Sequence, residues 1–139
     1  MGRLGPLRYL YVGSANVEKD LAFHQEVLGG ELVWRFRKFG ADVAAVRTGE
    51  GPLLLLADHR PPGSVLPLYV VDNLEALRAG LSGGGFRAGH TVATPDGPCL
   101  LVENASGFAF GALEEQRPRA LEGAYADPKN AAAVRESKK

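Results

Sequence analysis

Phe39-Gly40-Ala41-Asp42-Val43-Ala44-Ala45-Val46-Arg47-Thr48-Gly49-Glu50-Gly51 and Pro95-Asp96-Gly97-Pro98-Cys99-Leu100-Leu101-Val102-Glu103-Asn104-Ala105-Ser106-Gly107 carry one pattern twice, about 56 residues apart. The residue identities are poor, but the order of turn, apolar run and glycine is kept. Working outward, Leu53 to Ala57 falls on Ala109 to Leu113, Gly29 falls on Gly85, and Asn16 falls on Asp72. A repeat of this period means one supersecondary unit used twice, and it constrains every later assignment.

The first copy opens with Leu7 to Val12, a strand rich in Tyr and Leu. After the turn Gly13-Ser14-Ala15, Asn16 is a helix N-cap, because its side chain accepts a bond from an otherwise unpaired N–H. Val17, Leu21 and Leu28 form one helical stripe, Phe23 and Val27 add an i,i+4 pair, and Gly29-Gly30 ends the helix. Leu32 to Phe39 alternates Leu32, Trp34 and Phe36 against Val33, Arg35 and Arg37, a strand with two unlike faces. Strands at Asp42 to Thr48 and Pro52 to Ala57 complete a β-α-β-β-β unit.

Asp58 to Ser64 is a polar, Pro-rich linker. The order then repeats: a strand at Val65 to Val71, a helix at Asn73 to Ser82 broken by Gly83-Gly84-Gly85, and strands at Phe86 to Ala93, Pro98 to Glu103 and Phe108 to Leu113. In the polar tail, Asp127-Pro128 reads as an N-cap and N1 pair opening a short helix through Ala131 to Val134. The expected fold class is α+β: two tandem β-α-β-β-β modules (7–58 and 65–114) forming a cupped eight-stranded mixed sheet, helices outside and a pocket within. Residues 1–114 make the single domain and 115–139 the tail.

Lys and Arg total 16 and Asp and Glu total 16, so net charge is zero. That argues against a nucleic-acid groove or a polybasic membrane patch, both of which need a basic surplus. No stretch approaches the roughly 18 apolar residues of a membrane span. The single cysteine, Cys99, precludes an internal disulfide, and with no signal-peptide core near Met1 the expected location is cytoplasmic.

The duplicated order, the stretch Asn16-Val17-Glu18-Lys19-Asp20-Leu21-Ala22-Phe23-His24-Gln25-Glu26-Val27-Leu28-Gly29-Gly30 and the closing Asn104-Ala105-Ser106-Gly107-Phe108-Ala109-Phe110 resemble the glyoxalase/bleomycin-resistance/extradiol-dioxygenase (vicinal oxygen chelate) superfamily. The resemblance covers roughly Leu7 to Glu114, with Asn16 where Asp is usual and His24 where Tyr is usual. Enzymes of that group hold a divalent metal with His, Gln or Glu from the first and last strand of each unit. The matching positions here are Tyr9, Leu55, Val65 or Leu66, and Gly111. Tyr9 is a poor ligand for such metals and the others have no donor side chain, so the expectation is no metal and no cofactor.

The resemblance therefore implies a binding protein of the bleomycin-resistance type, acting as a homodimer on a small, partly apolar or aromatic molecule. Tyr9 and Tyr11 share a face of the first strand, which the resemblance turns toward the pocket. Trp34 and Phe36 share a face that either lines the pocket or packs under the helix; in the second case Arg35 and Arg37 are the anion-gripping candidates, in the first they are solvated surface. With Leu55 on the floor, a gap at Gly111 and His90 at the repeat position of Trp34, these residues are the candidate ligand contacts. His24 reads as a packing residue, His59 as a solvated linker residue and Cys99 as a buried structural thiol. Two rival readings stand: a metal-dependent lyase, isomerase or dioxygenase with ligands moved to His59, His90, Glu103 or a partner chain, and a non-enzymatic protein-interaction module.

Overall fold

A computed structural model describes residues 4–38, 40–81 and 85–135. The elements are β1 (Leu4–Gly13), α1 (Val17–Glu26), β2 (Glu31–Lys38), β3 (Ala41–Arg47), β4 (Leu53–Ala57), β5 (Val65–Val71), α2 (Leu74–Leu81), β6 (Phe86–Thr94), β7 (Gly97–Asn104), β8 (Ala109–Leu113) and α3 (Ala120–Ala126). The strands form one mixed sheet in the order β2-β3-β4-β1-β5-β8-β7-β6. Phe39 at the end of the second expected strand, and Ser82, Gly83 and Gly84 after the second helix, lie outside the described residues. The chain divides into two compact units, one of residues 1–9 and 66–120 and one of residues 10–65 and 121–139.

The repeat is visible in the hydrogen-bond register. Glu31 pairs with Arg47 on β2–β3, and Arg87 with Glu103 on β6–β7, each partner 56 residues on. Both are ion pairs with the signs exchanged, at 3.7 Å and 2.6 Å. Val43 pairs with Ala57, and Cys99 with Leu113, at the same spacing. Even the irregularity recurs: the register slips between Leu32 and Trp34 in β2 and between Ala88 and Thr91 in β6. A bulge sets where side chains point beyond it, so its recurrence is a feature of the unit rather than a defect.

The repeat is not gapless. Asn16 accepts from the Lys19 amide at 3.0 Å, whereas the second helix is capped by Asn73, which accepts from Ala76 at 3.0 Å, not by Asp72. Caps and helix starts are thus 57 residues apart while Gly29 and Gly85 are 56 apart, so the second unit is one residue shorter after its cap. Gly29 and Gly85 take φ of +72° and +76° as the chain leaves each helix, a left-handed backbone that glycine adopts cheaply.

In the unit of residues 10–65, α1 lays Val17 and Leu21 on Ala44, Val46 and Leu56, with Val12, Leu32 and Leu54 packed against them. Burying each such side chain contributes about 1.5–3 kcal/mol. The expected stripe stops there. Val27 is the C-cap, so Leu28 lies beyond the helix, and Phe23 sits two residues, over half a turn, from Leu21. All three are exposed. In the other unit, Leu74 and Leu77 of α2 pack on Val71, Leu100, Val102, Phe110 and Ala112.

The tail corrects the sequence reading. Its helix is α3, ahead of Asp127. The Asp127 side chain accepts from Lys129 at 3.0 Å and that of Asn130 from Ala132 at 3.0 Å, so both make side-chain turns instead of opening a helix. The segment beyond is extended and pairs with the edge of β2: the Arg37 amide donates to the Ala132 carbonyl at 2.8 Å and the Val134 amide to Arg35 at 2.9 Å. Tyr125 of α3 fastens it, its hydroxyl donating to the Val134 carbonyl at 2.8 Å, its ring edge-on to Phe36 and under the Arg135 guanidinium.

Candidate functional site

Side chains alternate across a strand, so the residues packed under α1 fix what the other face carries. Val12, Ala44, Val46, Leu54 and Leu56 lie under α1. Tyr11, Val43, Ala45, Leu55 and Ala57 therefore face away from it. Past the bulge Trp34 pairs with Ala45, which pairs with Leu55, while Phe36 pairs with Val43. Trp34, Ala45 and Leu55 form one cross-strand row of this face, and the Trp34 and Phe36 rings lie 5.6 Å apart. The question the sequence left open is answered: Trp34 and Phe36 are not under the helix. Trp34 and Leu55 are buried, and Tyr11 and Phe36 are half-buried. His59, exposed in the linker, sets its ring edge-on against Tyr11 at 5.9 Å. The sequence marked His59 as linker; only the return of the chain over β1 brings it to Tyr11.

Arg35 is neither solvated nor free to grip an anion, whereas Arg37 keeps an exposed side chain. Arg35 is buried and clamps Asp42 through Nε at 2.9 Å and Nη2 at 2.6 Å, and Arg37 adds a 3.3 Å bond. The hydrogen bond to Asp42 raises the Arg35 pKa further. Burial works to raise the Asp42 carboxyl, but bonds from Arg35 and Arg37 outweigh it and hold the group below its ordinary value. A guanidinium committed to an internal carboxylate has little left for a ligand. A hollow of about 330 Å³, lined by Leu21, Gln25, Leu32, Arg35 and Val134 among others, lies between α1 and the tail. It was illegible in the sequence because the tail was read as helix.

Tyr9 lies in the other unit. It is buried, and its hydroxyl donates to Asp96 Oδ2 at 2.6 Å. Burial, then the bond and charge of Asp96, push the Tyr9 pKa up, so the phenol stays protonated and donating. Asp96 is itself buried, and its Oδ1 has no partner among the described residues. The Tyr9–Asp96 pair was missed, because 87 residues separate the two.

The gap expected at Gly111 is closed. A Cβ there would meet Leu68 Cγ at 3.0 Å and Cys99 Sγ at 3.1 Å, so the missing side chain lets the neighbours pack in. Burial raises the Cys99 pKa to about 11, consistent with a structural thiol. His90 is exposed on β6, Leu66 is buried and Val65 is exposed. His24 is half-buried, Nδ1 donating to the Asp20 carbonyl at 2.8 Å. Glu103 is taken up by Arg87.

These donors do not fit a metal. Of the four positions matched by resemblance, Tyr9 is a neutral donor held by Asp96 and the others have no ligating atom. Among the described residues no three His, Cys, Asp or Glu side chains are grouped to hold an ion. Among the described residues, no helix is long and apolar enough to cross a membrane.

No family model matches the chain, and no curated protein does. Solved structures do. Methylmalonyl-CoA epimerase from Mycobacterium tuberculosis superposes with a TM-score of 0.69 at 17% identity, covering 84% of this chain and 92% of that one. A hypothetical protein from Bacillus halodurans gives 0.68 at 13%, covering 84% and 96%. A Streptomyces coelicolor methylmalonyl-CoA epimerase in complex with 2-nitronate-propionyl-CoA gives 0.67 at 11%, covering 83% and 100%. The chain shares the fold of these structures. At these identities the likeness is one of fold, and a fold of this kind hosts unrelated chemistries.

Proposed function

We propose that this protein binds a small, partly apolar or aromatic molecule without using a metal, and that the face bearing Tyr11, Trp34, Phe36 and Leu55 supplies its apolar contacts. The observation that carries the reading is the pairing of that aromatic face with a superfamily ligand set that reads Tyr9, Leu55, Val65 or Leu66, and Gly111. Aromatic walls give affinity by dispersion and offset stacking, with a few polar groups setting orientation. The Tyr11 ring stands edge-on to the His59 imidazole at 5.9 Å. Fold neighbours hold organic ligands, among them 2-nitronate-propionyl-CoA and methylmalonyl-CoA, which supports a small-molecule role for the scaffold.

The chain has one tryptophan, and it belongs to this face. Titration of metal-free protein with a panel of aromatic acids, aromatic amines and acyl-CoA thioesters, read by Trp34 emission and thermal shift, tests the proposal. A binder is expected to change Trp34 emission and raise the melting temperature by mass action. Tyr11→Ala is expected to weaken it at least tenfold. Stoichiometric uptake of zinc, nickel or iron after dialysis, or a binder whose affinity Tyr11→Ala leaves unchanged, would remove it.

A further inference from the structure

The hollow of about 330 Å³ lies wholly within the unit of residues 10–65 and 121–139, and three elements enclose it. Glu18, Leu21, Ala22 and Gln25 are spaced by three and four residues, so α1 presents them on one face. Leu32 and Arg35 come from β2. Val134 and Arg135 come from the extended segment that pairs with the β2 edge. Leu21, Ala22, Leu32 and Val134 make its lining apolar on all three sides.

Among the described residues, one charge of this lining has no opposite charge beside it. Arg35 gives Nε and Nη2 to Asp42, and its Nη1 stands 3.8 Å from Glu18 Oε1. Both carboxylates are therefore matched by Arg35. Arg135 has no carboxylate within ion-pair distance among the described residues. Its Nη2 donates to the Asp127 carbonyl at 2.9 Å, and its Cζ lies 4.8 Å from the centre of the Tyr125 ring. Tyr125 is in turn fixed by its bond to the Val134 carbonyl at 2.8 Å. The guanidinium is thus held still by a neutral carbonyl and a ring face, neither of which cancels its charge. A cation ordered before its ligand arrives loses little rotamer freedom on binding.

We propose that this hollow binds a short aliphatic monocarboxylate, with the carboxylate on Arg135 and the chain against Leu21, Ala22, Leu32 and Val134. The volume is at the low end of the roughly 300–1,000 Å³ of small-molecule sites, room for one short chain. Glu18 stands on the α1 wall, across from the segment that carries Arg135, so it repels a second carboxylate and excludes dicarboxylates. An amine would meet Arg135 with like charge, and an alcohol would forgo the charge-assisted bond. The site is distinct from the aromatic face, because Leu32 packs under α1 whereas Trp34 faces away from it.

NMR of the full chain during titration with isovalerate, isoamyl alcohol and isoamylamine tests this. Isovalerate is expected to shift the Leu21, Leu32 and Val134 methyl signals saturably and to leave the Trp34 indole N–H signal in place. The alcohol and the amine are expected to bind at least tenfold more weakly. Arg135→Met removes an exposed charge and is expected to weaken isovalerate at least tenfold, while circular dichroism and the melting curve keep their native form. Ala22→Phe fills the hollow from the helix and is expected to abolish the methyl shifts. Absence of a saturable shift, shifts confined to the Trp34 indole, equal affinity for the alcohol, or a folded Arg135→Met that binds isovalerate like the wild type would overturn the proposal. Should Ala22→Phe not fold, the alcohol and Arg135→Met decide it. Because the methyl signals report this hollow and Trp34 reports the aromatic face, either site can fail without the other.

Discussion

Replacing Arg35 by Met should destabilise the protein far more than losing an ordinary strand cation. Asp42 is buried with about a tenth of its side chain exposed, and Arg35 supplies two of its three guanidinium bonds, at 2.9 and 2.6 Å. The remaining bond comes from Arg37 at 3.3 Å, from a side chain 59% exposed. Met fills the space of the stem but leaves a carboxylate buried with one weak partner. Removing one member of a buried pair costs about 3–5 kcal/mol, a large fraction of the roughly 5–15 kcal/mol that holds a domain together. Urea denaturation at pH 7 with linear extrapolation measures it. The double variant Arg35→Met/Asp42→Leu removes both charges and should recover most of the loss.

The pH dependence supplies a second check. The folded pKa of Asp42 is depressed, so its contribution is present above the unfolded carboxylate pKa and is lost as pH falls through the folded value. The gap between wild type and Arg35→Met should therefore narrow on acidification below the ordinary carboxylate range. A single-variant cost under about 1 kcal/mol, the size of an exposed pair, or a gap independent of pH, would refute the reasoning.

Tyr9→Phe strips Asp96 of its 2.6 Å donor and should cost about 1–3 kcal/mol by chemical denaturation, the penalty of an unsatisfied buried acceptor. Gly97→Ala should fold poorly or not at all, because φ is +147° and a Cβ would meet the Glu114 carbonyl oxygen at 2.1 Å; circular dichroism and soluble yield report it. Cys99, buried with its pKa raised to about 11, should react with a thiol reagent at neutral pH only at the rate of unfolding, so moderate urea should accelerate labelling steeply.

The duplicated module was legible because strand order, glycine turns and caps are local signals. β4 and β8 sit where the repeat placed the runs Leu53–Ala57 and Ala109–Leu113. Asn16 caps as its side chain requires. Leu28 and Phe23 were misjudged because helical spacing alone does not say where a helix ends or which of two apolar stripes the sheet covers. The alternation of Leu32, Trp34 and Phe36 was misread because it was carried through a bulge: Leu32 packs under α1, whereas Trp34 beyond the bulge faces away from it. Arg35 was misread because its partner Asp42 lies on the neighbouring strand. Asp127-Pro128 carries the same letters whether it opens a helix or a side-chain turn, and only the free edge of β2 decided for the turn.

The sequence by itself determined which side chains stand at the positions matched by resemblance. Leucine and glycine carry no donor atom in their side chains in any conformation, so that set could be read from residue identities once the positions were matched. Tertiary structure decided what each polar group does. Asp96 is a turn residue until the chain brings Tyr9 to it, Arg35 is a surface cation until Asp42 meets it, and His59 is a linker residue until it reaches Tyr11. The physical reason is range: caps, turns and alternation act within a few bonds, whereas a buried charge or phenol is defined by partners that only the folded chain delivers.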